Sequence, residues 1–202
     1  MADTPAPPGT PDNPVLITDP RVMRALAHPA RIAIWTHLGL RGPATATECA
    51  SVAGLSPSAC SYHLRALARY GFVEEDPDSA ADGRRRPWRA RVLGFSIQNV
   101  TDDPVADAAS RFLVETVRAS MDQTRARYLS RKSEYPVSWQ RAVGEYGDVA
   151  HVTPAELDEL RQKISDVIST YRRLEPAERP DGALPVLLWL DMFPFFGPEE
   201  AR

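Results

Sequence analysis

Apolar residues recur at three- and four-residue steps from Asp19 to Tyr70, and the period shortens after Gly71. Proline marks where the helices begin. Asp19-Pro20, Ser56-Pro57, Asp103-Pro104 and Thr153-Pro154 each pair a side-chain acceptor with a proline at the first helical position, where its missing N–H costs nothing. Thr45-Ala-Thr-Glu48 and Thr153-Pro-Ala-Glu156 also match the capping box. With Gly42, Gly54 and Gly71 as stops, the pattern predicts helices over 19–27, from Pro29 to about Leu40, over Thr47–Ala53 and over Pro57–Tyr70. "FVEEDPD", "SAADGRR" and "RPWRARVLGF" then predict strand, turn and strand.

Two stronger helical stripes follow. Val105, Ala109, Phe112, Leu113, Val117, Met121 and Tyr128 mark a helix from Asp103 to about Lys132, and Leu157, Leu160, Ile164, Val167, Ile168, Tyr171 and Leu174 mark another from Pro154. A helix of about 30 residues runs roughly 45 Å, longer than a small domain is wide, so part of the first stripe needs another surface to cover it, and a partner subunit is the economical candidate. The final apolar stretch, "LPVLLWLDMFPFF", reads as strand-like, with Pro194 favouring an edge or an end.

The expected fold is therefore mainly α with a small β wing. Residues 1–17 form a Pro-rich tail expected to be disordered, 18–98 a domain of four helices and the wing, and 99–202 a helical dimerisation and effector region with a short strand-like end.

The fourth helix carries the candidate chemistry. Cys60, Leu64 and Leu67 share one side, with Ala59 and His63 beside them, while Ser58, Ser61, Tyr62, Arg65 and Arg69 fall on the other. No acid occurs between Ser56 and Tyr70. A solvated face usually mixes charges of both signs; hydroxyls near a helix start followed by arginines suit base edges and phosphates. Ser58, Ser61 and Tyr62 are the expected base readers and Arg65 and Arg69 the expected backbone contacts, with Ser56 and His63 completing the helix surface. Arg84, Arg85 and Arg86 form a basic turn able to enter a groove or straddle phosphates.

Charge sharpens this picture. The 202 residues carry a net charge of −3, so basicity must be local. Asp19 to Phe95 holds eleven arginines against seven acids, a surplus of +4, and the remainder of the chain carries −7. Two cysteines make no disulfide framework and fit a reducing compartment. The N-terminus lacks the basic and apolar regions of a signal peptide. The apolar run Val186 to Leu190 is too short for a bilayer. A cytoplasmic protein without a membrane partner is expected.

"RALAHPARIAIWTHL", "TATECASVAGLSPSACSYHLRALARYGFVEE" and the basic wing resemble winged helix-turn-helix regulators of the ArsR type, over about Asp19 to Phe95. The longer form, with its C-terminal helix pair and the end "PVLLWLDMFPF", is similar to actinobacterial ArsR-like regulators. The resemblance implies a homodimeric repressor or regulator that binds double-stranded DNA. One departure matters: where metal-sensing members open the third helix with Cys-x-Cys, this chain has Thr45 and Thr47. A soft metal needs thiolates, so no metal site is expected there.

Other readings are blander. Cys49 and Cys60 fall at neighbouring apolar positions, as buried small hydrophobes or as a redox pair. His28, His37 and His151 belong to no metal-spaced cluster. Trp139, Tyr146, Trp189, Phe193, Phe195 and Phe196 suit core or interface, or a pocket for a small-molecule effector. No cofactor motif, nucleophile elbow, phosphate loop or HExxH pair occurs, so no enzyme is expected. A winged helix that docks a protein without reading DNA is the alternative.

Overall fold

In the computed structural model of the protein, residues 14–77, 86–97, 103–173 and 178–195 are described. Side-chain caps set the first helices. Asp19 accepts from the Arg21 amide at 2.7 Å and opens α1 (Pro20–Leu26). His28 Nδ1 accepts from the Ala30 amide at 3.2 Å and opens α2 (Pro29–Arg41). Thr45 and Glu48 form a reciprocal capping box on α3 (Ala46–Ala53), and Ser56 caps α4 (Pro57–Arg69). The turn between α3 and α4 is made by Gly54, at φ 65° and ψ 35°, while the Leu55 amide closes the helix end on the Ala50 carbonyl at 3.0 Å.

These helices share one core with the chain that follows. Leu64, Leu67 and Cys60 of α4 lie buried with Ile34 and Leu38 of α2 and Cys49 of α3. Cys49 and Cys60 are both buried, and that burial pushes Cys49 up to about 12 and Cys60 upward as well. Trp35 ties α2 to the wing: its indole N–H donates to the Val92 carbonyl at 2.9 Å, and its ring meets Phe72 edge-on at 6.4 Å.

The wing is a two-stranded antiparallel ladder of β2 (Val73–Glu75) and β3 (Trp88–Ala90), with Val73 opposite Ala90 and Glu75 opposite Trp88. Ala44 adds a bridge to Trp88. The expected turn at its tip, residues 79–85, lies outside the described residues. The molecule is thus mainly helical with a small β wing, as the pattern predicts.

Three expectations are corrected. The tail assigned to residues 1–17 ends earlier, because Val15–Ile17 forms strand β1, parallel to β4 (Phe95–Ile97), with Val15 and Ile17 buried and Leu16 turned outward. The long second strand of the wing is split, since the Arg91 amide donates to the Phe72 carbonyl and the residues beyond Gly94 pair with β1 instead. The end segment 183–195 adopts no strand and makes no strand pairing among the described residues. Pro185 and Pro194 lack the N–H that a ladder needs.

Beyond the wing, α5 (Pro104–Ser130) buries Ala106, Ala109, Ser110, Leu113 and Val117 as it packs against α1 and α2. The core therefore crosses the 98/99 boundary drawn from the sequence. Val105 and Phe112 of the same stripe stay exposed, at 57% and 55%. A short α6 (Val137–Ala142) follows, then α7 (Pro154–Ser169), which stops before the expected Leu174. The amides of Thr170 and Tyr171 bond back to Val167 and Ile168, tightening the last turn. The chain divides into two compact units, one ending at Arg172 and the other starting at Arg173.

Two outcomes follow from this packing. A Cβ at Gly54 would meet nothing within 4 Å, so Gly54→Ala isolates the penalty of a left-handed backbone: it should cost about 1–2 kcal/mol in urea unfolding. Cys49 and Cys60 should resist a thiol reagent at about pH 8 in the native protein and react fully once it is denatured.

Candidate nucleic-acid interface

The two sides of α4 are held apart by burial. Cys60, His63, Leu64 and Leu67 face the core, whereas Ser58, Tyr62, Arg65 and Arg69 are exposed and Ser61 is half-buried. At the helix start, Ser56 Oγ accepts from the Ala59 amide at 3.3 Å and lies 3.1 Å from Ser58 Oγ. One turn on, Ser61 Oγ donates to the Pro57 carbonyl at 2.9 Å and keeps its lone pairs for a donor. Hydroxyls, Tyr62 (61% exposed) and two guanidinium groups thus project along one side of a helix whose N-terminus carries partial positive charge. Neither Arg65 nor Arg69 forms an ion pair among the described residues.

His63 differs from the other candidates. It is only 8% exposed, and its ring supports Tyr62 edge-on at 5.5 Å. Behind it, His28 stacks at 4.6 Å, and Arg31 Nε donates to His63 Nδ1 at 3.4 Å. Arg31 also donates to the Ala25 carbonyl, so one side chain ties the end of α1 and the start of α2 to α4. Sequence reasoning missed Arg31; its only signal was a basic residue three positions after the helix-entry His28.

This cluster is built for neutral imidazoles. Burial first, then the Arg31 charge, lowers the His28 pKa, and burial, His28 and Arg31 lower that of His63. His37 is lowered too, by burial and then Arg41.

The wing is less basic than its arginine count implies. Glu74 lies 2.8 Å from Arg89 and 3.2 Å from Arg91, Asp76 lies 3.6 Å from Arg89, and Glu75 lies 3.2 Å from Arg86. Arg86 is nevertheless exposed, and such a pair in water holds it weakly. Arg84 and Arg85 lie outside the described residues. Thr45, where a metal thiolate would stand, is engaged in the α3 cap, its Oγ1 lying 2.7 Å from the Glu48 carboxylate.

A protein family described as a helix-turn-helix domain matches residues 26–76, from the last residue of α1 through β2. No curated protein matches the chain. The matched region contains both capped helices, the Gly54 turn and the outward face of α4, and it supports a winged helix-turn-helix regulator that binds DNA in transcription. Among the described residues, no helix is long and apolar enough to cross a membrane.

Because the histidine pKa values are lowered, the folded state disfavours their protonation. The stability this contributes is complete above the unfolded value of about 6.5 and is lost as pH falls through the folded values. Urea unfolding between about pH 7 and 5 should record that fall. His28→Asn, which keeps an N-cap acceptor, should flatten it.

Proposed function

We propose that this chain is a homodimeric repressor of the ArsR type, in a long actinobacterial-like form, that reads an inverted-repeat operator in the cytoplasm. Residues 18–98 carry the reading surface and 99–202 the dimerising one. The observation that carries the reading is the acid-free outward face of α4, backed by a buried apolar face. Ser58, Ser61 and Tyr62 lie at the helix start, where base edges are met in this geometry. Arg65 and Arg69 clamp phosphates farther along, and Arg84, Arg85 and Arg86 bring the wing to the flanking backbone. Ser56 sets the helix start, and His63 acts from behind by supporting Tyr62.

Dimerisation suits α5, whose Val105 and Phe112 are bare on the side away from its own core. A two-fold pair presents two α4 helices to half-sites about one turn of DNA apart. Metal sensing through the start of α3 is disfavoured, because Thr45 serves the helix cap and supplies no thiolate. Any effector would be a small molecule bound elsewhere.

Gel-shift titration with DNA from its own promoter region tests this. Affinity should fall at least tenfold between about 50 and 200 mM salt, as neutralised phosphates release counterions. Arg65→Ala and Tyr62→Ala should each weaken specific binding by about 1–3 kcal/mol, roughly 5- to 150-fold, with unchanged unfolding midpoints. Wild-type affinity in both variants would remove α4 as the reading element.

A further inference from the structure

Helix α7 is amphipathic, yet none of its residues is buried. Leu157, Leu160, Ile164 and Val167 alternate steps of three and four, the a and d positions of a heptad repeat. Val167 is 61% exposed and Leu160 37%. A 3.5-residue apolar repeat makes a narrow seam suited to one facing helix rather than to a broad core.

The charges beside the seam select the facing helix. Glu156 and Lys163 occupy g positions, and Arg161 and Ile168 occupy e positions. In a parallel, in-register pair of identical helices, each g residue faces the e residue five places on in the other copy. Glu156 then meets Arg161 of the second copy, twice by symmetry, and the Lys163 stem lies over Ile168 of the second copy. An antiparallel pair, with Leu160 facing Ile164 and Leu157 facing Val167 of the second copy, sets Lys163 and Arg161 each against its own counterpart.

The groups are able to make this exchange. Glu156 uses Oε2 for the Thr153 cap, leaving Oε1 for a cation across the seam. Arg161 sits 3.2 Å from Asp158 in an exposed pair that contributes little.

We infer that α7 docks on α7 of a second copy of this chain as a parallel, in-register helix pair. The inference rests on the homodimer reading and deepens it by naming a second contact. At 16 residues, about 24 Å, two such helices would not hold a dimer alone. Joined to chains already held together, they meet at high effective concentration. The two-fold axis of a parallel pair runs along the seam, in keeping with the dyad of an inverted repeat.

Cross-linking of the full chain without DNA tests the pairing. In a parallel pair the d positions face their own counterparts, so Leu160→Cys and Val167→Cys should each oxidise largely to covalent dimers. Gln162→Cys, on the outer face, and the unsubstituted chain should remain monomeric on non-reducing gels. Ile164→Lys should raise the dimer dissociation constant at least tenfold by sedimentation, with helix content unchanged by circular dichroism.

Failure of both d-position variants to cross-link would overturn the inference, and so would equal cross-linking at position 162 or an unchanged dimer with Ile164→Lys. Cross-linking of Leu160→Cys only when mixed with Ile164→Cys would establish the antiparallel pair and overturn it too. No DNA enters these measurements. A failed seam therefore leaves α4 as reader untouched, and loss of promoter binding in Arg65→Ala leaves the cross-links in place.

Discussion

Burial of one side of α4 is the constraint on which the rest of the structure depends. Leu64 and Leu67 are enclosed where α4 meets α2, α3 and β2, and truncating either to Ala would forfeit about 2–5 kcal/mol. That burial is what fixes the rotation of the helix about its axis. Once Cys60, Leu64 and Leu67 are inside, the 3.6-residue period leaves Tyr62, Arg65 and Arg69 no position but outside.

The positions of the other elements answer to the same requirement. Gly54 turns the chain tightly enough for α3 to lie against α4, and Cys49 and Cys60 are both enclosed in the core the two helices share. Trp35 carries the packing onward to the wing through Val92, and Arg31 carries it to α1 through Ala25. The outward face of α4 is therefore supported from behind: Tyr62 rests on His63, His63 on His28 and Arg31, and these on the first two helices. Such support gives an exposed aromatic side chain a defined position without hydrogen-bonding its hydroxyl away.

The second half follows a different rule. Its first helix is anchored by small residues, Ala106, Ala109 and Ser110, that let α5 approach α1 and α2 closely. Past Met121 the stripe leaves its own core behind, and no residue of α7 is buried. The wing shows the converse economy, since Glu74, Glu75 and Asp76 offset the arginines beside them and leave its local field milder than composition suggests.

Helix starts, helix periodicity and the two-sidedness of α4 were legible in the sequence because each is written in contacts within a few residues: an acceptor beside a proline, a glycine after a stripe, an acid-free run. Asp19, Ser56 and Thr153 cap their helices where the pattern put them. Tertiary structure alone decided the parallel pairing of Val15–Ile17 with Phe95–Ile97, because a three-residue strand gains its hydrogen bonds from a segment some eighty residues away. It likewise decided that His63 turns inward to Arg31, 32 residues distant, and that the wing arginines meet acids across a ladder. Local pattern specifies which side of an element is apolar; which partner covers that side depends on where distant segments come to lie.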